Sequence, residues 1–147
     1  MADIKWSAFP NGGALIAGDI IVGLRAGANF QFTAPIFGSD IVNVTTPTQA
    51  MVANTIYVAN DPTSLVTFTL PATAAFGTII QVVGNSSNGW IIDQNAGQSI
   101  NVGNAASTVG VGGSVASSNR YDQITFFCVV ANTTWNTTGA VGNLTIV

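Results

Sequence analysis

Catalysis in this chain would have to come from aspartate, because the sequence has six acidic residues, all of them Asp, and no His. Two carboxyl groups about 5 to 9.5 Å apart can cleave a glycosidic bond, one as acid and the other as base or nucleophile. The candidates for such a pair are Asp61, Asp93 and Asp122.

Each of these aspartates also has a simpler structural interpretation. Asp61 follows Asn60 in a predicted turn, where Asp is a common turn former. Asp93 belongs to an alternating strand, in which it would face solvent, and Asp122 is predicted to pair with Arg120 in a loop before a strand. The structural interpretation is favoured for all three, so we predict no catalytic residues and no enzymatic activity.

The residue types that bind metals or cofactors are equally sparse. Zinc sites need several Cys or His ligands, and calcium sites need several convergent oxygens, whereas the Asp residues here are scattered. Cys128 lies in the apolar run Ile124–Val130 with no His or Lys beside it, which favours a small buried side chain over a reactive thiol. The glycines around Arg25 lack the Gly-Lys-Ser/Thr ending of a phosphate loop. The sequence therefore predicts no metal and no cofactor.

Charge is scarce along the whole chain. Only 6% of the residues are charged, against about 25% in a typical soluble domain. Uncharged polar groups cost less to remove from water than charged ones, and a net charge of −3 gives weak repulsion between copies. We therefore expect a homo-oligomer that packs against other protein chains. The acidic balance argues against a nucleic-acid partner, and no apolar run reaches the ~18 residues of a membrane helix, which argues against a membrane.

The elements that would carry these residues are predicted to be β-strands almost throughout. β-Branched and aromatic runs alternate with Gly, Asn, Asp and Pro, and helix signals are nearly missing. The predicted fold class is all-β, an antiparallel β-sandwich or jelly-roll-like barrel with an extended N-terminal arm. The predicted strands are Ile20–Leu24, Ala28–Phe32, Ile41–Thr45, Met51–Ala59, Leu65–Leu70, Thr78–Val83, Trp90–Gln94, Ser99–Val102, Ser107–Val111, Gln123–Val130, Thr133–Thr138 and Leu144–Val147.

Three local patterns give more detailed predictions. Gly84–Gly89 joins two apolar runs and is typical of a hairpin loop. Ile124–Val130 is an apolar run interrupted only by Thr125, which predicts a strand covered on both faces. Gly110–Gly113 is predicted to be a flexible crossing or a place where chains approach closely.

Residues 1–38 are predicted to form an arm that attaches the chain to a partner, and residues 40–147 a β-sandwich domain. The first segment is rich in Gly and aromatic residues but has too few regular elements for a core of its own. Aromatic and Arg side chains dominate the binding energy of protein interfaces, and Val22-Gly-Leu-Arg25 could also add a strand to a neighbouring sheet edge. The predicted partner-binding residues are Trp6, Phe9, Arg25, Phe30 and Phe32.

Several stretches of the chain resemble proteins of tailed bacteriophages. Val22-Gly-Leu-Arg-Ala-Gly-Ala-Asn-Phe-Gln-Phe32 is similar to a segment near the N-terminus of tail-fibre and other virion appendage proteins. The resemblance implies a virion structural protein, commonly trimeric, whose N-terminal arm attaches to the particle. The stretches that resemble a β-rich module of phage fibres and spikes are Thr67-Phe-Thr-Leu-Pro71, Gly77-Thr-Ile-Ile-Gln-Val-Val-Gly84, Gly89-Trp-Ile-Ile-Asp-Gln-Asn-Ala-Gly-Gln98 and Asn132-Thr-Thr-Trp135.

The resemblance leaves two functions open. Fibre proteins usually continue well beyond the attachment segment, whereas this chain ends at Val147, which favours a capsid decoration or cement protein, or a short head or tail fibre. The alternative is a glycan- or receptor-binding module at the tip of a phage fibre, although a large aromatic in a strand is more often part of a core. The aromatic residues that would contact a glycan are Tyr57, Trp90, Tyr121 and Trp135.

Overall fold

The computed structural model describes residues 20–25, 28–33 and 40–147. The chain divides into two compact units, Met1–Gly38 and Ser39–Val147, and each is described by itself. In the first unit, strands β1 (Ile20–Arg25) and β2 (Ala28–Thr33) form a two-stranded antiparallel sheet. Both strands lie where the β-branched and aromatic residues of the sequence predict them.

The second unit consists of two β-sheets, and the described part of the chain contains no helix, which confirms the all-β prediction. The seven-stranded sheet has the order β10-β9-β13-β12-β7-β5-β3, and the five-stranded sheet has the order β14-β11-β8-β6-β4. One continuous hydrophobic core is shared by the strands of the two sheets, as in a β-sandwich. The strands are β3 (Asp40–Val44), β4 (Thr48–Ala50), β5 (Thr55–Ala59), β6 (Val66–Thr69), β7 (Ile79–Gly84), β8 (Trp90–Asp93), β9 (Ser99–Val102), β10 (Ala105–Ala106), β11 (Ser114–Ser117), β12 (Gln123–Val130), β13 (Thr134–Val141) and β14 (Leu144–Ile146).

The first half of this unit winds as a coil between the two sheets. Strands β3, β5 and β7 lie side by side in one sheet, and β4, β6 and β8 lie side by side in the other. Each neighbouring pair within these two sets is parallel. The antiparallel arrangement expected from the sequence is therefore wrong for this half, because every connection from β3 to β8 crosses to the opposite sheet instead of returning to the same one.

Mostly antiparallel pairs complete both sheets in the second half, and the β13–β9 pair is the parallel exception. β12 pairs with β7 on one side and with β13 on the other, and β11 pairs with β8 and β14. The sheets are mixed as a result, and the coil is closed by strands that run against it.

Aromatic side chains fill the space between the sheets. Trp90 and Trp135 are fully buried, and the Trp90 Nε1 donates a hydrogen bond to the backbone oxygen of Asp122 at 2.9 Å. Phe126 meets Trp135 edge to face, with ring centroids 5.4 Å apart, a geometry that favours aromatic pairs. These rings explain why Trp and Phe recur at inward positions of the strands.

Two sequence-based predictions about strands and loops are wrong. The loop Gly84–Gly89 connects β7 to β8, which lie in different sheets, so it is a crossover and not a hairpin loop. No strand forms at Ser107–Val111, and the strand of that region is β11, which follows the positive-φ glycines Gly110 and Gly112. Glycine adopts that backbone without the steric cost of a side chain, so the chain turns there before pairing resumes.

The mainly apolar strand β12 is not covered equally on its two faces. Ile124, Phe126 and Cys128 are fully buried, whereas Phe127 between them is only half-buried. The prediction that both faces are covered is therefore wrong for the described part of the chain. Successive side chains of a strand point to opposite faces, so β12 presents apolar groups on the outside of the seven-stranded sheet.

Candidate interaction face

The outside of the seven-stranded sheet carries an unusual set of side chains. Register between β3, β5, β7, β12 and β13 places alternate residues of each strand on the same outward side. We call this set the seven-strand outer face. Its members are Ile41, Asn43, Ile56, Val58, Ile79, Gln81, Val83, Gln123, Thr125, Phe127, Asn136, Gly139 and Val141.

This face contains no charged residue, and about half of its members are apolar. Its centre is made by half-buried side chains, among them Val58, Val83 and Phe127. At its margins Ile41 is 70% exposed and Val141 is 58% exposed. Contiguous apolar surface of this kind marks interaction sites in soluble proteins.

A shallow hollow indents one side of the face. It has a volume of about 230 Å³ and lies over the β12–β13 pair. Gly139 forms part of its wall, and a Cβ added there would meet no other atom within 4 Å. The hollow is thus wide enough at Gly139 to accept a side chain from a partner surface. The residues that line it are Gln123, Thr125, Gly139, Ala140 and Val141.

The outside of the five-stranded sheet differs in chemistry. Here the outward positions hold mostly hydroxyl and small side chains, together with the carboxylate of Asp93. Thr67 lies on β6, the strand between the edge strand β4 and the central strand β8. We call this set the five-strand outer face. Its members are Thr48, Thr67, Thr69, Ile91, Asp93, Ala116 and Thr145.

The candidate catalytic aspartates are used within the fold. The Asp61 Oδ1 accepts hydrogen bonds from the N–H and the hydroxyl of Thr63, each at 2.8 Å, and from the Ser64 N–H at 3.1 Å. The backbone and side-chain bonds from Thr63 lower the pKa of Asp61, with a smaller lowering from Ser64 and an opposing effect of burial. Asp61 is therefore a turn residue, as its sequence context predicts.

Asp122 is also an internal acceptor, but its partner differs from the predicted one. Its Oδ2 accepts the N–H groups of Ser118 and Asn119, both at 2.8 Å, whereas the Arg120 Nε donates to the backbone oxygen of Asn85 at 2.7 Å. The predicted Asp122–Arg120 pair is not among the contacts of the described residues. Both groups hold loops together.

The predicted partner-binding residues lie in the first unit. Trp6 and Phe9 fall outside the described residues. Arg25, Phe30 and Phe32 lie on β1 and β2, where Arg25 pairs with Ala28, Phe30 with Gly23 and Phe32 with Ile21. Their role in binding stays a prediction.

Three of the four aromatics considered for glycan binding belong to the core. Tyr57, Trp90 and Trp135 are at most 1% exposed, and the Tyr57 hydroxyl accepts the Val52 N–H at 2.7 Å. These three are wrong as glycan contacts because a ligand cannot reach them. Tyr121 is the exception, since it is 60% exposed.

The described residues offer few groups for metal or thiol chemistry. They contain no cluster of three or more His, Cys, Asp or Glu side chains suited to a metal ion. Cys128 is fully buried, and its Sγ lies 3.1 Å from the backbone oxygen of Val130, which agrees with the predicted small buried side chain. No helix in the described part of the chain is long and apolar enough to cross a membrane.

Comparison with known proteins identifies no relative of the chain. No protein-family model matches the chain, and a search of curated proteins finds no match. The seven-strand outer face was missed by reasoning from the sequence, although the consecutive apolar residues Phe126 and Phe127 were its signal. Such a pair places one ring inside the sandwich and the other outside it.

Proposed function

We propose that this chain is a structural subunit of a bacteriophage virion, either a capsid decoration or cement protein or a short head or tail fibre. In this proposal it assembles with copies of itself, as a trimer, and contacts other virion proteins through residues 1–38. The observation that carries the proposal is the seven-strand outer face, which has no charged member and is about half apolar. The resemblance of residues 22–32 to virion appendage proteins is the reason for proposing that the chain belongs to a phage particle.

The chemistry of the face suits contact between identical chains. A charged patch that meets its own copy places like charges together, which costs free energy. The seven-strand outer face avoids this cost because its polar members are neutral amides and hydroxyls. Removing its apolar members from water contributes about 25 cal/mol for each Å² of apolar surface.

The size of the face indicates that one sheet does not complete the interface. Five strands about 4.8 Å apart and about five residues long cover roughly 400 Å². A stable interface buries about 800 Å² on each partner. We infer that surface of residues 40–147 beyond this face adds the remaining contact area between copies, whereas Trp6, Phe9, Arg25, Phe30 and Phe32 anchor the chain to other virion proteins.

A non-enzymatic role agrees with how the described aspartates are used. Asp61 and Asp122 accept hydrogen bonds from their own loops, and Asp93 lies on a sheet face. None of the three is supported as half of an acid–base pair. The proposal therefore assigns no reaction to the chain.

Placing a charge on each sheet tests the assembly. Val58→Lys puts an ammonium group on the seven-strand outer face, on β5 next to the edge strand β3. Thr67→Lys puts one at the matching place on the five-strand outer face, on β6 next to the edge strand β4. We expect Val58→Lys to convert the oligomer to monomer, since burying an unpaired charge is strongly unfavourable, and Thr67→Lys to leave it intact. Light scattering on the full chain measures the mass of each variant. A wild-type chain that is monomeric, or an oligomer that survives Val58→Lys, contradicts the proposed interface.

Location is tested separately on the particle. An antibody against residues 40–147 should label purified virions at regular positions by electron microscopy, and the chain should co-purify with them. A deletion of residues 1–38 should abolish this attachment in the proposed arrangement. If the chain is present in infected cells but missing from purified virions, the virion role is wrong.

A further inference from the structure

A polar hollow lies at the end of the sandwich where β5 and β7 end and β12 begins. Its volume is about 250 Å³, slightly below the roughly 300–1,000 Å³ of sites for drug-sized ligands, and it suits a single ring. The loops after β5 and β7 and the loop before β12 contribute its walls. The residues that line it are Asn60, Pro62, Asn85, Ser86, Ser87 and Arg120.

Hydrogen bonds fix the three loops against one another. The Asn85 Nδ2 donates to the Asn60 Oδ1 at 2.7 Å, and the Asn85 and Ser86 N–H groups donate to the backbone oxygen of Ala59. The Arg120 Nε donates to the backbone oxygen of Asn85 at 2.7 Å and so ties in the third loop. The walls of the hollow are therefore held in place before any ligand arrives, which lowers the entropic cost of binding.

Arg120 is the one basic residue of the sequence from 40 to 147. Only its Nε takes part in the hydrogen bonds recorded for the described residues, and the nearby carboxylates of Asp61 and Asp122 accept bonds from their own loops. The guanidinium carbon lies 4.8 Å from the centre of the Tyr121 ring. This stacking orients the guanidinium group and leaves its two terminal nitrogens available to an anion.

Tyr121 adopts a backbone conformation that is unfavourable for its residue type. Its φ is +73°, in the left-handed region, which a bulky side chain rarely adopts. Its ring is 60% exposed, so burial of the ring does not explain why a tyrosine stands there. Strained non-glycine residues concentrate at binding sites, where the surrounding structure holds them.

We propose that this hollow binds a sugar that carries a carboxylate group. The carboxylate would take the two terminal nitrogens of Arg120 in a bidentate pair. The side-chain N–H groups of Asn60 would donate to ring hydroxyls, the carbonyl of Asn85 would accept from one, and the hydroxyl of Ser87 can do either. The exposed ring of Tyr121 would lie against an apolar edge of the sugar.

A single cation limits the charge of the ligand. Nucleic acids and other polyphosphates require several basic groups to offset their charge, and residues 40–147 offer only Arg120. One carboxylate per ring matches one guanidinium. None of the residues that line the site belongs to the seven-strand outer face, so binding and assembly can be tested with different variants.

Backbone amide spectra of the full chain test the site directly. The probes are tri-galacturonic acid, glucuronic acid and N-acetylneuraminic acid, with the methyl ester of tri-galacturonic acid as the uncharged match. We expect at least one acid to shift amide signals confined to residues 60–64, 85–88 and 118–122, and the ester to bind about tenfold or more weakly. Shifts with none of the three acids, or shifts centred elsewhere, overturn the proposal.

Variants separate binding from folding. Arg120→Gln should weaken binding of the acid at least tenfold, to the level of the ester. Tyr121→Gly should raise the thermal midpoint, because glycine relieves the positive φ, while it weakens binding. Phe76→Ala removes an exposed ring from the opposite end of the sandwich, before β7 begins, and should leave binding unchanged. Unchanged affinity in Arg120→Gln overturns the proposal.

Discussion

The two sheets have similar inner faces and different outer faces. Inside, both contribute fully buried aromatic and branched side chains, such as Phe68 from one sheet and Phe126 from the other. Outside, the five-strand face carries threonines and Asp93, whereas the seven-strand face carries apolar groups and neutral amides. A sandwich core needs only the inner faces, so the outer difference must have another cause.

Alternation of side chains along a strand does not by itself make the outward surface polar. In β6, Val66 and Phe68 point inward, whereas Thr67 and Thr69 point outward. In β12, the inward Phe126 is followed by the outward Phe127. Hydroxyl groups keep the five-strand outer face hydrated. Covering the apolar side chains of the seven-strand outer face with a partner lowers the free energy of the assembly.

Substitutions of the neighbouring residues Phe126 and Phe127 on β12 should give the largest difference in unfolding free energy. Phe126→Ala should cost about 3–5 kcal/mol of unfolding free energy, since it empties a fully buried ring site beside Trp135. Phe127→Ala removes a half-buried ring and should cost about 1 kcal/mol, while it weakens self-association. Urea unfolding at protein concentrations where both variants are monomeric measures the two losses of unfolding free energy. Equal costs would mean that the outer ring is already covered within one chain.

Acid should weaken the fold without acting on the face. The pKa of Asp61 is lowered in the folded chain, so its carboxylate contributes stability above the unfolded pKa of about 3.9. That contribution is lost as the pH falls through the lower folded pKa. Asp61→Asn should therefore be less stable than wild type at neutral pH, and the difference should shrink below about pH 4. A difference that grows on acidification would contradict the assignment of Asp61 as an internal acceptor.

Substitution of Gly139 on the seven-strand outer face should change the stability by a smaller amount, and should raise it. A Cβ added at Gly139 meets nothing within 4 Å, so Gly139→Ala should raise the stability of the monomer by about 0.5–1 kcal/mol. The same change should weaken association if a partner side chain occupies the hollow. Gly142→Ala is the matched control, because its φ is +94° and the added Cβ would meet Asp122; it should destabilise the fold.

Salt should have almost no effect on association through the seven-strand outer face. Raising the ionic strength from about 0.1 to 1 M shortens the Debye length from about 10 to 3 Å. An interface without charges should change its dissociation constant by less than about twofold over this range, as measured by sedimentation equilibrium in NaCl. A strong loss of association at high salt would point to charged residues outside this face.

Much of the strand content could be predicted from the sequence, because runs rich in β-branched and aromatic residues indicate strands. The runs that became β5, β7, β8 and β12 combine Ile, Val, Tyr, Trp and Phe between turn residues. Strand β11 was missed, since Ser114-Val-Ala-Ser117 has only one large apolar residue and follows a glycine-rich turn. Its pairing depends on β8 and β14, which lie far away in the sequence.

Parallel pairing and the two sites were beyond the reach of sequence patterns. The sequence of a strand and of the loop after it does not determine which sheet the next strand joins. The crossover at Gly84–Gly89 was therefore predicted to be a hairpin loop. The polar hollow combines Asn60, Asn85 and Arg120 from three separate loops, and no spacing connects them. The outer face depends on register, which the order of residues within one strand does not give.

The coil of β3 to β8 has a consequence for how such a chain can change in length. Each further pair of strands would lie on the previous pair through the same parallel contacts, so the architecture permits elongation by whole turns, as in solenoid proteins. The antiparallel strands β12 and β13 would then act as a fixed lid on one side of a stack of variable height. Duplicating a turn is thus a route by which this scaffold could yield taller molecules without a new core design.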